Sequence, residues 1–151
     1  MKIEEYGLDI LVNPLLAWFE RHARTLPWRE DATPYRVWVS EIMLQQTRVE
    51  AVKPYFERFI KALPDVKSLA VCDEEQLLKL WEGLGYYNRV RNMQTAARCV
   101  MEKHNGRLPA YYDELLKLKG IGRYTAGAIA SIAYGISVPA VDGNVLRVSS
   151  R

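Results

Sequence analysis

The stretch that most constrains this 151-residue chain runs from Leu115 to Asn144. Gly120-Ile121-Gly122 follows Leu115–Lys119 and precedes the small residues Ala126, Gly127, Ala128 and Ala130. Two glycines one residue apart let a chain reverse sharply with positive φ. Set before a helical pattern, they also leave backbone N–H groups uncovered at the positive end of a helix, which suits a phosphate oxygen. A plain cap and turn accounts for the same two glycines. The small residues beyond them let a helix pack closely. Then comes Val138-Pro139-Ala140-Val141-Asp142-Gly143-Asn144, an apolar run ending in an acid.

Elsewhere the apolar periodicity is helical, and no strand pair, repeat or low-complexity linker interrupts it. The fold class is therefore all-α, with short loops and about eight or more helices. Asn13-Pro14 and Thr33-Pro34 each read as an N-cap followed by a first-turn proline, opening helices over 13–25 and 34–46. Further helices are expected over 48–62 (with Pro54 as a kink or restart), 66–71, from Asp73 through Trp81, 88–104, 112–118, 123–134 and from Asp142 onward.

The helix over 34–46 carries Tyr35, Trp38, Val39 and Ile42 on one face and is apolar nearly all round, so burial is expected. Glu41 within it is costly unless paired or unless its pKa rises. It is either a boundary residue or a general acid held in a cleft, protonated near neutral pH. Gln45-Gln46-Thr47 follows with amide side chains able to read or fill gaps in base pairing. Gly83-Leu84-Gly85-Tyr86-Tyr87 sets aromatics beside Arg89 and Arg91 at a turn, an arrangement that wedges into a base stack or simply caps a helix over two core tyrosines. Asp142 reads equally as an N-cap.

Charge bears on the partner. Between Tyr86 and Tyr124 lie eight of the 21 Lys/Arg but only three of the 18 Asp/Glu. A net +3 thus concentrates beside and within the glycine turn, which suits a polyanion as well as a solvated helix face. No apolar run approaches the ~20 residues of a membrane span, and the leading residues lack an apolar signal core. A cytoplasmic location is expected. Cys72 and Cys99 are far apart and form no metal spacing.

These segments carry a family resemblance. The glycine hairpin, the Gly/Pro-containing loop and Asp142 resemble the helix–hairpin–helix DNA glycosylase superfamily, to which endonuclease III belongs. Pro27-Trp28-Arg29, Trp38 through Thr47 (WVSEIMLQQT), Trp81 through Arg89 (WEGLGYYNR) and Val141 through Val145 (VDGNV) resemble its adenine DNA glycosylases of the MutY type, in order and spacing. The resemblance covers the chain from Leu16 onward. It implies a helical glycosylase domain over 26–151 with its hairpin at 115–126, preceded by a segment over 1–25 that packs on an iron–sulfur region. It implies removal of adenine mispaired with 8-oxoguanine or guanine in double-stranded DNA, after base flipping, by hydrolysis of the N-glycosidic bond. A bacterial, nucleoid-associated enzyme is the corresponding setting.

The roles it implies fall on matching residues. Glu41 resembles the acid that protonates adenine, and Asp142 the carboxylate that stabilises the cationic sugar. Asn144 resembles a residue supporting Asp142, and Arg29 one beside the adenine pocket. Gln45, Gln46, Thr47, Leu84 and Tyr86 match positions that enter the duplex or fill the gap left by the flipped base. Arg89, Lys119, Gly120, Gly122 and Arg123 belong with the DNA-gripping segments. Tyr124 stands where lyase-competent relatives carry a lysine; a tyrosine forms no Schiff base, so monofunctional chemistry is expected. The family continues with a four-cysteine loop holding a 4Fe–4S cluster and a second domain recognising 8-oxoguanine. Two cysteines make no four-thiolate site, so no cofactor is expected in this chain and the cluster is expected in a longer parent. Low activity, and self-association through Leu15, Leu16, Trp18 or Phe19, are the corresponding expectations. The alternatives are a noncatalytic helix–hairpin–helix DNA-binding module and another base-excision glycosylase on the same fold.

Overall fold

The computed structural model describes residues 7–151, so the first six residues of the 1–25 segment lie outside it. Among the described residues there are ten α-helices, one π-helical turn and no strand. None of these helices is long and apolar enough to cross a membrane.

Helix α1 (Asp9–His22) starts earlier than Asn13-Pro14 suggests, with Pro14 inside it. The proline forfeits a bond to the Ile10 carbonyl, a loss the helix absorbs while Asp9 favours its positive end. No residue of α1 is buried, and Leu15, Leu16, Trp18 and Phe19 are all exposed. The core begins at Leu26 and at Trp28 of α2 (Pro27–Glu30).

Helix α3 (Pro34–Leu44) opens as its sequence indicates: the Thr33 side chain accepts from the Arg36 amide at 3.3 Å, and Pro34 occupies the first turn. It is the central element, with Trp38, Val39 and Met43 fully buried, and it packs against α4 (Val49–Ala62) on one side. Pro54 sits inside α4 without dividing it. The apolar side of α4 runs through Val52, Phe56 and Phe59, with Ile60 at its half-buried edge. Phe56 meets Trp28 edge-on at 5.5 Å and Phe59 meets Trp81 at 6.0 Å. Each such ring buries about 150–250 Å².

The short α5 (Val66–Val71) has a reciprocal cap between Asp65 and Ser68, and α6 (Glu74–Trp81) is capped by Asp73, whose carboxylate accepts from the Gln76 amide at 2.9 Å. The long α7 (Asn88–Lys103) packs along α5. Helix α8 (Tyr112–Leu116) leads through the hairpin into α9 (Arg123–Ala128). Where a continuous helix to Tyr134 was expected, α9 passes into a π-helical turn over Ile129–Ala133. There the Ser131 hydroxyl donates to the Gly127 carbonyl at 2.7 Å, a back-bond that disturbs the regular ladder. Helix α10 (Gly143–Ser149) follows its Asp142 cap.

Candidate functional site

Glu41 projects from α3, Tyr124 from the first turn of α9, and Asp142 from the cap of α10. More than 80 residues separate the first two in the chain. They meet because α3 packs against both α9 and the π-helical turn. All three line one cavity of about 1090 Å³, together with Arg29 and Asn144. Gln45, Gln46, Thr47, Gly122 and Arg123 form part of the same wall.

Burial in this wall pushes the Glu41 carboxyl above its ordinary range. The polar influence of the neighbouring Tyr124 hydroxyl opposes that rise; Asp142 adds to it and the Arg29 guanidinium opposes it. Tyr124 is itself pushed up to about 12, first by burial and then by the negative charges of Glu41 and Asp142. It therefore remains a neutral hydrogen-bond donor through the physiological range. A carboxyl held above its ordinary range and a second carboxyl group facing one space are the components that acid-assisted cleavage of a glycosidic bond uses.

Asp142 has a double engagement. Its Oδ1 accepts from the Val145 amide at 2.9 Å, so the N-cap reading holds, while Oδ2 accepts from Asn144 Nδ2 at 3.3 Å. The cap holds the carboxylate at the cavity rather than competing with that placement. Gly127 sets the loop that delivers it. A Cβ on Gly127 would overlap the Pro139 carbonyl oxygen, so the Val138–Val141 segment lies directly on the backbone of α9.

In the hairpin, Gly120 takes φ +80, as its turn requires. Gly122 does not: it is extended at φ −90, ψ −175, a conformation open to any residue. A Cβ there would face open space, so its effect is to keep the backbone bare at the start of α9, where no side chain caps the first turn. Lys119 and Arg123 flank it, both exposed.

The other two segments behave differently from a simple projecting loop. Gln45, Gln46 and Thr47 lie in a turn beyond α3 rather than within it, because Gln46 adopts φ +60. Gly83 at φ +99 and Gly85 at φ +73 reverse the chain between Leu84 and Tyr86. Leu84 consequently packs inward at 8% exposure while Tyr86 stands out at 67%. Tyr86 has φ +48, a strained value for an aromatic residue and of the kind concentrated at functional sites. The Arg89 guanidinium turns away from solvent onto protein carbonyls. The close packing expected of the small residues is met at Gly127, whereas the π-helical turn was not expected. The small-residue run around Gly127 was the available signal, but nothing in the sequence says which backbone it meets.

The four-thiolate cluster does not fit the residues present. Cys72 is buried at the end of α5, its thiol donating to the Asp73 carbonyl at 3.3 Å and raised in pKa by burial, and Cys99 lies on α7. Among the described residues no group of three or more His, Cys, Asp or Glu is placed to hold a metal.

Comparison with known proteins shows the family and the fold. The family model of HhH-GPD superfamily base excision DNA repair proteins matches residues 39–151. The chain is 43% identical over 143 residues to an adenine DNA glycosylase of Buchnera aphidicola subsp. Baizongia pistaciae, covering 94% of this chain and 41% of that protein. It is 47% identical over 146 residues to the adenine DNA glycosylase of Mus musculus, covering 91% of this chain and 28% of that one. It thus spans well under half the length of these relatives. Among solved structures, a thermostable thymine-DNA glycosylase superposes with TM-score 0.90 at 26% identity, over 99% of this chain and 70% of that one. Endonuclease III in a non-covalent complex with DNA superposes at 0.82 and 27% identity, over 95% and 66%.

Proposed function

Because the chain belongs to the HhH-GPD superfamily of base excision DNA repair proteins, we propose that it carries the catalytic centre of an adenine DNA glycosylase acting on adenine opposite 8-oxoguanine or guanine. The observation that carries this reading is the convergence of Glu41, Tyr124 and Asp142 on one cavity beside the bare start of α9. Glu41 gives its proton to N7 of a flipped adenine. The C1′–N9 bond then breaks with its electron pair leaving on the neutralised base. The Asp142 carboxylate stabilises the oxocarbenium-like sugar, and Asn144 holds that carboxylate. Water adds at C1′ and returns a proton to Glu41. Tyr124 orients Glu41 and, having no amine, forms no Schiff base with the sugar.

The DNA is held by the hairpin amides, Lys119 and Arg123 on phosphates, with Tyr86, Gln46 and Thr47 entering the duplex and Arg29 lining the base pocket. The unburied apolar face of α1 is the surface that packs on an iron–sulfur region, a reading that its exposed Leu15, Leu16, Trp18 and Phe19 support. A cytoplasmic, nucleoid-associated location goes with this substrate.

Single-turnover release of adenine from an adenine:8-oxoguanine duplex tests the reading. Free adenine and an abasic strand that stays intact until alkali treatment are expected. Release of a pyrimidine instead, or binding with no base release by a full-length relative carrying this domain, defeats it. Tyr124→Phe supplies a finer check. Loss of the hydroxyl removes an influence that lowers the Glu41 pKa. Since the reaction needs protonated Glu41, the alkaline limb of the rate–pH profile moves to higher pH. A limb that stays in place or moves to lower pH disconnects Tyr124 from the acid.

A further inference from the structure

We propose that Arg89 is a positioning residue that locks the Gln45–Thr47 turn to the Gly83–Tyr87 turn, and that it makes no phosphate contact. The inference deepens the reading above, in which those two turns enter the duplex. Nη1 of Arg89 donates to the carbonyls of Ile42 and Gln45, each at 2.7 Å, and to that of Met43 at 3.4 Å. Nη2 donates to the carbonyls of Leu84 at 3.4 Å and Gly85 at 3.3 Å. One planar fork therefore spans both turns, which lie more than 35 residues apart in the chain.

The guanidinium stacks between Trp81, 5.4 Å from its ring centroid, and Tyr86, at 5.6 Å. Trp81 in turn donates Nε1–H to the Gly85 carbonyl at 3.0 Å.

The physical need for this clamp is local. The last carbonyls of α3 are left short of donors, Ile42 accepting a long 3.4 Å bond from the Gln45 amide, and a cation at that negative end supplies more. Both turns contain a non-glycine residue in the left-handed region, Gln46 at φ +60 and Tyr86 at φ +48. Such conformations persist only where their surroundings over-determine them. Arg89 is the shared surrounding: it binds the carbonyl before Gln46, the carbonyl before Tyr86 and the face of the Tyr86 ring. It also fixes the end of the helix that bears Glu41. A lysine keeps the charge but is a point donor without the fork, so it cannot span both turns.

The test compares wild-type protein with Arg89→Lys and Arg89→Ala in two measurements. The first is affinity for an adenine:8-oxoguanine duplex and for an undamaged duplex across a salt series. The second is amide hydrogen exchange in the free protein. Both variants should keep the wild-type salt dependence and lose about tenfold of the preference for the damaged duplex. Exchange should quicken in residues 45–47 and 83–87 together while the α4 and α7 cores stay protected. The proposal is overturned if Arg89→Ala lowers the salt slope by about 0.9, the mark of a lost phosphate contact. It is equally overturned if Arg89→Lys keeps the full preference, or if exchange quickens throughout the fold. Should the wild type show no preference for the damaged duplex, the adenine glycosylase reading fails, and exchange in the two turns still decides the clamp.

Discussion

Glu41→Gln is expected to leave binding of the mismatched duplex intact and to cut adenine release by about 10²–10⁴-fold, the range typical of a positioned general acid. The side chains are nearly isosteric, so packing in the α3 wall is preserved. What disappears is the proton. Burial holds the Glu41 carboxyl above its ordinary range, the direction that favours a proton donor. An amide in its place can still accept from the Tyr124 hydroxyl, so the cavity keeps its shape. The loss should therefore appear in the single-turnover rate at saturating enzyme, not in affinity. A variant that releases adenine near the wild-type rate would remove Glu41 from the acid role, and one that fails to bind would make it a structural residue.

Gly127→Ala carries the second large effect, and it arises far from the chemistry in kind. A single methyl group on α9 would overlap the Pro139 carbonyl oxygen. Backbone cannot yield there as a flexible side-chain tip would, so the Val138–Val141 segment must lift. That segment ends at Asp142, whose carboxylate is set by bonds from Val145 and Asn144 a few residues beyond. Lifting the segment moves the cap and the carboxylate together. A displacement of ~1 Å in a catalytic group can cost about 10²-fold in rate. Adenine release should fall by about that factor while salt-dependent duplex binding through the hairpin persists. Thermal unfolding of the variant reads the accompanying strain. Release at the wild-type rate would mean that the loop tolerates the methyl group without moving Asp142.

Much of the architecture was legible in the chain because it rests on short-range rules. Thr33-Pro34, Asp73 and Asp142 each opened a helix where cap chemistry placed it. Asn13-Pro14 shows the limit of the same rule. The pair has the composition of a cap, but the helix runs through it from Asp9, and one lost hydrogen bond does not prevent that. Gly122 shows another. The spacing of two glycines marks a turn, but only the backbone distinguishes the one that needs positive φ from the one that keeps the chain bare.

The sequence by itself determined the all-helical class, the glycine reversals at Gly83, Gly85 and Gly120, and the improbable acid within an apolar helix. These follow from periodicity, backbone sterics and the cost of burying charge, each readable over a few residues. Only the tertiary structure decided that Glu41, Tyr124 and Asp142 share one cavity, that Leu84 turns inward where Tyr86 turns out, and that Arg89 faces carbonyls of two distant turns. The reason is that a helix presents residues around its whole circumference. Which of them meet depends on the packing of α3 against α9 and on a close approach at Gly127, contacts made between backbones remote in the chain.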